Sequence, residues 1–77
     1  MSLRHYTIYV ESDPDEGGYV VSVPALPGCF TQGDTLEQAI ERAREAIAGF
    51  IEALEKRGEP VPEETIHPQA IIISVAA

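Results

Sequence analysis

The feature that most constrains the fold is one long amphipathic helix pattern in the middle of the chain. Apolar side chains recur there at alternating intervals of four and three residues, which places them in a single stripe. They are Leu36, Ile40, Ala43, Ile47, Phe50 and Leu54. Asp34 or Thr35 is predicted to cap the N-terminus, with Gln38 completing a capping box, and Gly58 is a typical helix stop. The rest of the chain must therefore cover this stripe.

Four short segments rich in β-branched and aromatic residues are predicted to form strands. They span residues 6–10, 19–23, 29–32 and 70–76. Turn-forming Pro and Gly residues separate the first three, so these are expected to form a meander, and the helix returns the chain for a parallel fourth strand. The prediction is an α+β fold with the order β-β-β-α-β. It has one small mixed sheet, with the single helix on one face. The whole chain, residues 1–77, corresponds to one domain.

A single helix covers only one face of such a sheet, and the other face carries more apolar side chains than a solvated face needs. If Val21 and its alternate neighbours face the helix, the opposite face has an exposed apolar patch, which is typical of a protein contact. Its predicted members are Tyr9, Val20, Phe30 and Ile72. We therefore predict that these side chains contact a protein partner or a second copy in a homo-oligomer, either a dimer or a tetramer.

The charge balance narrows the class of partner. Thirteen acidic residues stand against five basic ones, which gives a net charge of −8. Nucleic-acid binding needs clustered cations, so direct binding is not expected, whereas a basic protein would be attracted. No segment resembles a signal peptide or a membrane span, and a single cysteine leaves no internal disulfide. These features predict a cytoplasmic protein that does not bind membranes.

The sequence presents no catalytic or metal-binding constellation, and no cofactor is predicted. Cys29 would need a nearby cation or a helix N-terminus to act as a nucleophile, whereas free cysteines commonly pack in the core. His5 and His67 would approach each other if the first and last strands paired, but zinc needs further ligands. Asp13 and Asp15 lack the spacing of a calcium loop. No strand centre carries the converging carboxylates of a two-metal nuclease.

Residues 19–39 resemble the signature of HicB-like antitoxin domains. The elements that carry the resemblance are Pro27-Gly28-Cys29, Gly33-Asp34-Thr35 and Glu37-Gln38-Ala39. The resemblance extends over roughly residues 5–57, and the proline-containing loop and the last predicted strand fit in layout. In physical terms, these residues shape a turn, free the backbone before the helix and cap it, so the motif is mostly a folding motif.

The resemblance implies a degenerate RNase H-like fold without nuclease residues. It also implies a non-catalytic protein that neutralises a small basic HicA-type toxin, a ribonuclease that cleaves mRNA, by covering its active site. Many such antitoxins carry a C-terminal DNA-binding segment, but this sequence ends at Ala77, so direct operator binding is not expected. Two alternatives stay open. One is an orphan oligomeric interaction domain without a toxin, and the other is an RNase H-like or thiol-dependent hydrolase.

Overall fold

The computed structural model describes residues 3–64 and 69–77. It contains three strands and one helix in chain order, which are β1 (Tyr9–Ser12), β2 (Tyr19–Ser22), β3 (Phe30–Gly33) and α1 (Leu36–Lys56). The strands form an antiparallel meander in the order β1-β2-β3. Helix α1 packs on one face of the sheet, mainly against β3 and β2. The α+β class and the single helix on one face are therefore confirmed.

The core lies between this face and α1. Val21 of β2 is fully buried with Ala39 and Ala43 of α1, whereas its neighbour Val20 is 43% exposed on the opposite face, as the alternation predicts. A second buried cluster lies under the later turns of α1, where Ile47 and Phe50 pack on it. Its members are Val23, Leu26 and Cys29. The apolar stripe of the helix pattern is thus the side that packs on the sheet.

Local hydrogen bonds define both ends of α1. The Thr35 hydroxyl accepts from the backbone N–H of Gln38 at 3.0 Å, so Thr35 is the N-cap. The Gln38 side chain accepts from the backbone N–H of Asp34 at 2.6 Å. The capping box therefore reaches one residue further back than the usual pairing with the cap itself. Gly58 follows the helix with a φ of 70°, a left-handed conformation that favours glycine.

The first strand lies later in the chain than the predicted residues 6–10. The observed register pairs Tyr9 with Ser22, so the same register would set Thr7 opposite Pro24. Proline has no N–H to donate, and the ladder stops before that position. At the other end of the strand, Glu11 and Ser12 are predicted to open the turn to β2, but they pair with β2 and extend β1. The second and third strands lie within one residue of their predicted bounds.

The predicted fourth strand, residues 70–76, is wrong. Residues 69–77, called here the apolar tail, form no strand. Among their side chains, those of Ile71, Ile72, Ile73 and Val75 are 74% to 98% exposed. β-branched side chains favour a strand, but its backbone N–H and C=O groups also need a partner, and no described strand supplies one. Over the described residues the sheet is therefore antiparallel and not mixed. The RNase H-like relation stays a prediction.

The loop that follows α1 returns to the segment that precedes β1. The Tyr6 hydroxyl donates to the Pro62 carbonyl oxygen at 2.6 Å. The backbone N–H and the hydroxyl of Thr7 donate to the two carboxylate oxygens of Glu64, at 2.6 and 2.7 Å. Residues 59–64 have no regular secondary structure, as the prolines predict. These hydrogen bonds hold the two ends of the folded unit together.

Candidate functional site

The candidate site is the sheet face that points away from α1, called here the outer face. Residues opposite one another in a ladder share a face, and so do alternate residues along a strand. The observed registers therefore assign six side chains to the outer face. They are Tyr9, Glu11, Val20, Ser22, Phe30 and Gln32.

One cross-strand row of the outer face has an aromatic residue at each end. Ser22 of β2 lies between Tyr9 of β1 and Phe30 of β3. Since neighbouring strands lie about 4.8 Å apart, the two aromatic residues are about 10 Å apart across the sheet. Tyr9 is 41% exposed and Phe30 is 67% exposed. Together with Val20 they form a surface called here the outer patch, which has no cover among the described residues.

Carboxylates border the outer patch near the turn that joins β1 to β2. Glu11 lies opposite Val20 in the ladder. A shallow depression of about 360 Å³ is lined by both of them together with Asp13 and Phe30. The sequence prediction placed Glu11 outside the first strand and did not single it out. Alternation from Tyr9 is the signal that would have placed it on this face.

Three of the four side chains predicted for the interface share the outer patch. Ile72 does not join them, because it belongs to the apolar tail and is 98% exposed there. A side chain is held on a sheet face only when its backbone is paired into that sheet. The interface role of all four side chains stays a prediction.

The Pro27-Gly28-Cys29 motif forms the turn that leads into β3. The backbone N–H of Cys29 donates to the Leu26 carbonyl oxygen at 3.0 Å, and Gly28 has a φ of 91°, in the left-handed region. Cys29 is buried in the core, so the next residue, Phe30, points to the outer face. The motif therefore orients an exposed aromatic residue of the outer patch.

The Gly33-Asp34-Thr35 motif joins β3 to α1. Gly33 is buried and lies directly against the backbone of Ala39. Asp34 and Thr35 then supply the two hydrogen-bonding groups of the capping box. This short connection places α1 on the inner face and leaves the outer face uncovered by the helix.

Cys29 is the one thiol in the sequence, and its surroundings do not activate it. Its residue is only 4% exposed, between Val23 and Leu26. Burial raises the pKa of the Cys29 thiol, because the charged thiolate loses its hydration. A nucleophilic cysteine needs the opposite change, a lowered pKa. The geometry therefore disfavours the thiol-dependent hydrolase.

The raised pKa of Cys29 makes stability depend on alkaline pH. As the pH rises through the ordinary thiol pKa, the unfolded chain releases this proton while the folded chain retains it. The free energy of unfolding should therefore fall, by at most about 1.4 kcal/mol per pH unit for one proton. Urea denaturation followed by circular dichroism between neutral and alkaline pH measures this loss. The free energy of unfolding of the Cys29→Ala variant should fall less as the pH rises, because the two proteins share every other titrating group. Equal decreases in both proteins would contradict the prediction.

The structure shows no metal centre in residues 3–64 and 69–77, where no group of three or more His, Cys, Asp or Glu side chains is placed to hold an ion. Asp13 is instead a turn residue, because its carboxylate accepts from the backbone N–H groups of Asp15 and Glu16 at 3.0 and 3.2 Å. His67, which would approach His5 only if the first and last predicted strands paired, lies outside the described residues. In the same part of the chain, no helix combines the length and apolar content that a membrane span requires.

Comparison with known families identifies the group of proteins to which this arrangement belongs. Residues 6–71, from the segment before β1 into the apolar tail, match the family described as HicB_like antitoxin of bacterial toxin-antitoxin system. The chain belongs to the HicB-like antitoxin family. HicB-like membership confirms the resemblance seen in the sequence. It supports an antitoxin role with a toxin as partner, and it favours a non-catalytic protein.

Several relatives share much of this HicB-like sequence. The UPF0150 protein Ta0767 of Thermoplasma acidophilum is 51% identical over 59 residues, which cover 77% of this chain and 84% of the relative. The UPF0150 protein ssr1765 of Synechocystis is 42% identical over 73 residues, 92% of this chain and 91% of the relative. Antitoxin HicB 1 of Photorhabdus laumondii is 44% identical over 48 residues, 62% of this chain but only 31% of that protein. The similarity to the relative named as an antitoxin is therefore confined to a minor part of that protein.

Proposed function

We propose that this chain binds and neutralises a small basic mRNA-cleaving toxin of the HicA type by covering the active site of the toxin with its outer face. The observation that carries the proposal is the outer patch, an exposed apolar surface bordered by carboxylates. This function requires no catalytic group in the antitoxin. It requires the protein to act in the cytoplasm, where mRNA is translated.

Charge supports a basic partner. The chain has a net charge of −8, and Glu11 and Asp13 lie at the border of the outer patch. Opposite fields speed the encounter of two proteins and favour one relative orientation. A basic ribonuclease surface, which must attract phosphates, therefore complements this face of the antitoxin.

The apolar part of the outer patch supports close packing after the encounter. Aromatic side chains in the centre of an interface commonly contribute most of the binding energy, whereas bordering charges mainly affect the association rate. Phe30 is the most exposed member of the outer patch, and the buried Cys29 before it fixes its direction. Phe30 is therefore expected to be the main anchor of the complex.

The test is co-expression with a HicA-type toxin encoded beside this chain. The wild-type chain should restore growth and co-elute with the toxin on a sizing column. Phe30→Ala should weaken the complex by at least about tenfold, because truncation removes the anchor of the interface. Calorimetric titration with a catalytically inactive toxin measures the dissociation constants.

Leu36→Ala is the matched control. Leu36 is 48% exposed at the start of α1, outside the outer face, so its truncation should leave binding unchanged. If the wild-type chain neither restores growth nor forms a complex, the proposal is wrong and the orphan interaction domain is favoured. If Phe30→Ala binds as tightly as the wild-type chain, the outer patch is not the toxin-binding surface.

A further inference from the structure

The apolar tail holds four of the nine large hydrophobic side chains that are exposed in the described part of the chain. Residues 69–77 contain no charged side chain, in a chain whose net charge is −8. Its isoleucines reach 98% exposure at Ile72, and Val75 is 74% exposed. β-branched residues in succession favour an extended strand, and exposed apolar segments of this kind mark contacts. The tail therefore has the composition of a β-strand, but no described strand pairs with it.

A groove of matching character lies between α1 and the segment that leads into β1. Its volume is about 710 Å³. Ile40, Ile47 and Ile51 line it from α1, and Ile8 lines it from the segment before β1. These side chains are only partly buried, because α1 packs mainly on β3 and β2. The groove is thus the part of the helix stripe that the three strands do not cover.

The edge of β1 beside this groove is unpaired among the described residues. In an antiparallel ladder, alternate residues direct their N–H and C=O groups to the same side. The backbone N–H of Asp13 donates to the Gly18 carbonyl oxygen at 2.9 Å, so the odd-numbered residues of β1 face β2. Val10 and Ser12 therefore direct their backbone groups to the opposite side, where no described strand lies. An extended segment could pair along this edge.

The edge of β3 is less suitable for a further strand. The backbone N–H of Val23 donates to the Cys29 carbonyl oxygen at 3.2 Å, so the odd-numbered residues of β3 face β2 and Gln32 faces the open edge. The Gln32 carbonyl oxygen already accepts from the Arg42 guanidinium of α1 at 3.3 Å. A new strand would have to displace this contact. The β1 edge carries no such contact among the described residues.

We propose that two copies of this chain exchange their apolar tails, each tail pairing with the β1 edge of the other copy. Alternate side chains of the added strand, Ile71, Ile73 and Val75, fill the groove along α1. Ile72 then points to the outer face, beside Tyr9 of the receiving copy. Both faces of the tail are apolar, which suits a strand that is covered on one side and contributes to an apolar patch on the other.

A second copy is the occupant that the observations favour. The tail and the groove belong to the same chain, but no tail residue lines the groove and the large apolar side chains of the tail are exposed. Reciprocal exchange of one element between two identical chains closes a two-fold symmetric dimer. The tail has no charged side chain, so its insertion into the groove of a second acidic chain places no carboxylate side chain in that groove. A basic partner, by contrast, would gain no charge attraction from this segment.

The first test is sedimentation equilibrium at micromolar concentration. The wild-type chain should be a dimer. Ile73→Asp should raise the dimer dissociation constant by at least about tenfold, because it places a carboxylate in the apolar groove. Removal of the residues after Gln69 should give a monomer. Leu36→Asp adds the same charge outside the groove and should leave the dimer intact.

Two results would overturn the exchange. One is a wild-type chain that stays monomeric throughout the micromolar range, and the other is a dimer unaffected by Ile73→Asp. Circular dichroism should show an unchanged helix signal in the tail variants, since the tail contributes no residue to the described core. The inference does not depend on toxin binding, because all these measurements use the chain alone.

A second test separates exchange from pairing within one chain. Two differently tagged chains in a Cys29→Ala background are mixed, one carrying Ile51→Cys in the groove and the other Ile73→Cys in the tail. A short bis-maleimide should join the two tags in one product. Absence of that product, together with efficient cross-linking in a single chain that carries both cysteines, would show pairing within the chain and overturn the exchange.

Discussion

Replacing Gly33 with alanine is expected to lower the free energy of unfolding by about 3 kcal/mol. A Cβ atom at this position would lie 2.5 Å from the Ala39 backbone nitrogen and 2.7 Å from its Cα atom. Both atoms belong to the backbone of α1 and cannot rotate away as a side chain would. The sheet and the helix must therefore separate at their closest contact. A domain of this size has a total stability of roughly 3–5 kcal/mol, so this loss unfolds much of the protein.

Gly49→Ala is the matched control for this substitution. Gly49 lies within α1, and a Cβ atom there would meet nothing within 4 Å. Alanine has a higher helix propensity than glycine and lowers the conformational entropy of the unfolded chain. The free energy of unfolding of this variant should therefore rise by about 1 kcal/mol. Urea denaturation followed by circular dichroism measures both changes. Gly33→Ala with wild-type stability would show that the backbone contact between β3 and α1 is looser than described.

Replacing Leu26 with alanine should cost about 2–5 kcal/mol of stability. Leu26 and Val21 are the largest fully buried side chains of the described chain. Leu26 lies in the turn between β2 and β3, yet it packs with Val23 and Cys29 under α1. Truncation removes apolar contacts and leaves a cavity that a short turn with two fixed ends cannot close.

The same urea titration measures this loss, with Leu36→Ala as the control. Leu36 is 48% exposed, so its truncation should change stability by less than about 0.5 kcal/mol. A Leu26→Ala variant as stable as the control would mean that the turn before β3 is not part of the cooperative core. The folding role of the motif that follows Leu26 would then also be wrong.

The helix was predictable because its determinants are local. The apolar spacing, the Thr35 cap with Gln38, and the stop at Gly58 all act within a few residues of one another. The two-residue alternation of a strand is also local, and it predicts the exposure of Tyr9 and Val20. The third predicted strand is too short for alternation alone to fix the face of Phe30. These three residues make up the outer patch.

The errors arose where distant residues decide the outcome. The start of β1 depends on the register that brings Thr7 towards Pro24, a position far along the chain. Whether the apolar tail forms a strand depends on a strand that pairs with it, and amino-acid composition does not reveal such a partner. Ile72 is exposed, as predicted, but within one chain it lies on the apolar tail and not on the outer patch, so its interface role stays a prediction. Glu11 was assigned to a turn for the same reason, since only the pairing with β2 extends β1 to it.

The meander has a consequence for the order in which the protein folds. Each strand pairs with the next one along the chain, and α1 follows β3 directly, so these contacts close only short loops. The hydrogen bonds of Tyr6 with Pro62 and of Thr7 with Glu64 join residues 56 and 57 positions apart. Early in folding, the entropy lost by closing so long a loop costs more free energy than these few hydrogen bonds supply. The sheet and the helix can therefore form before the segment after α1 docks on the segment that precedes β1.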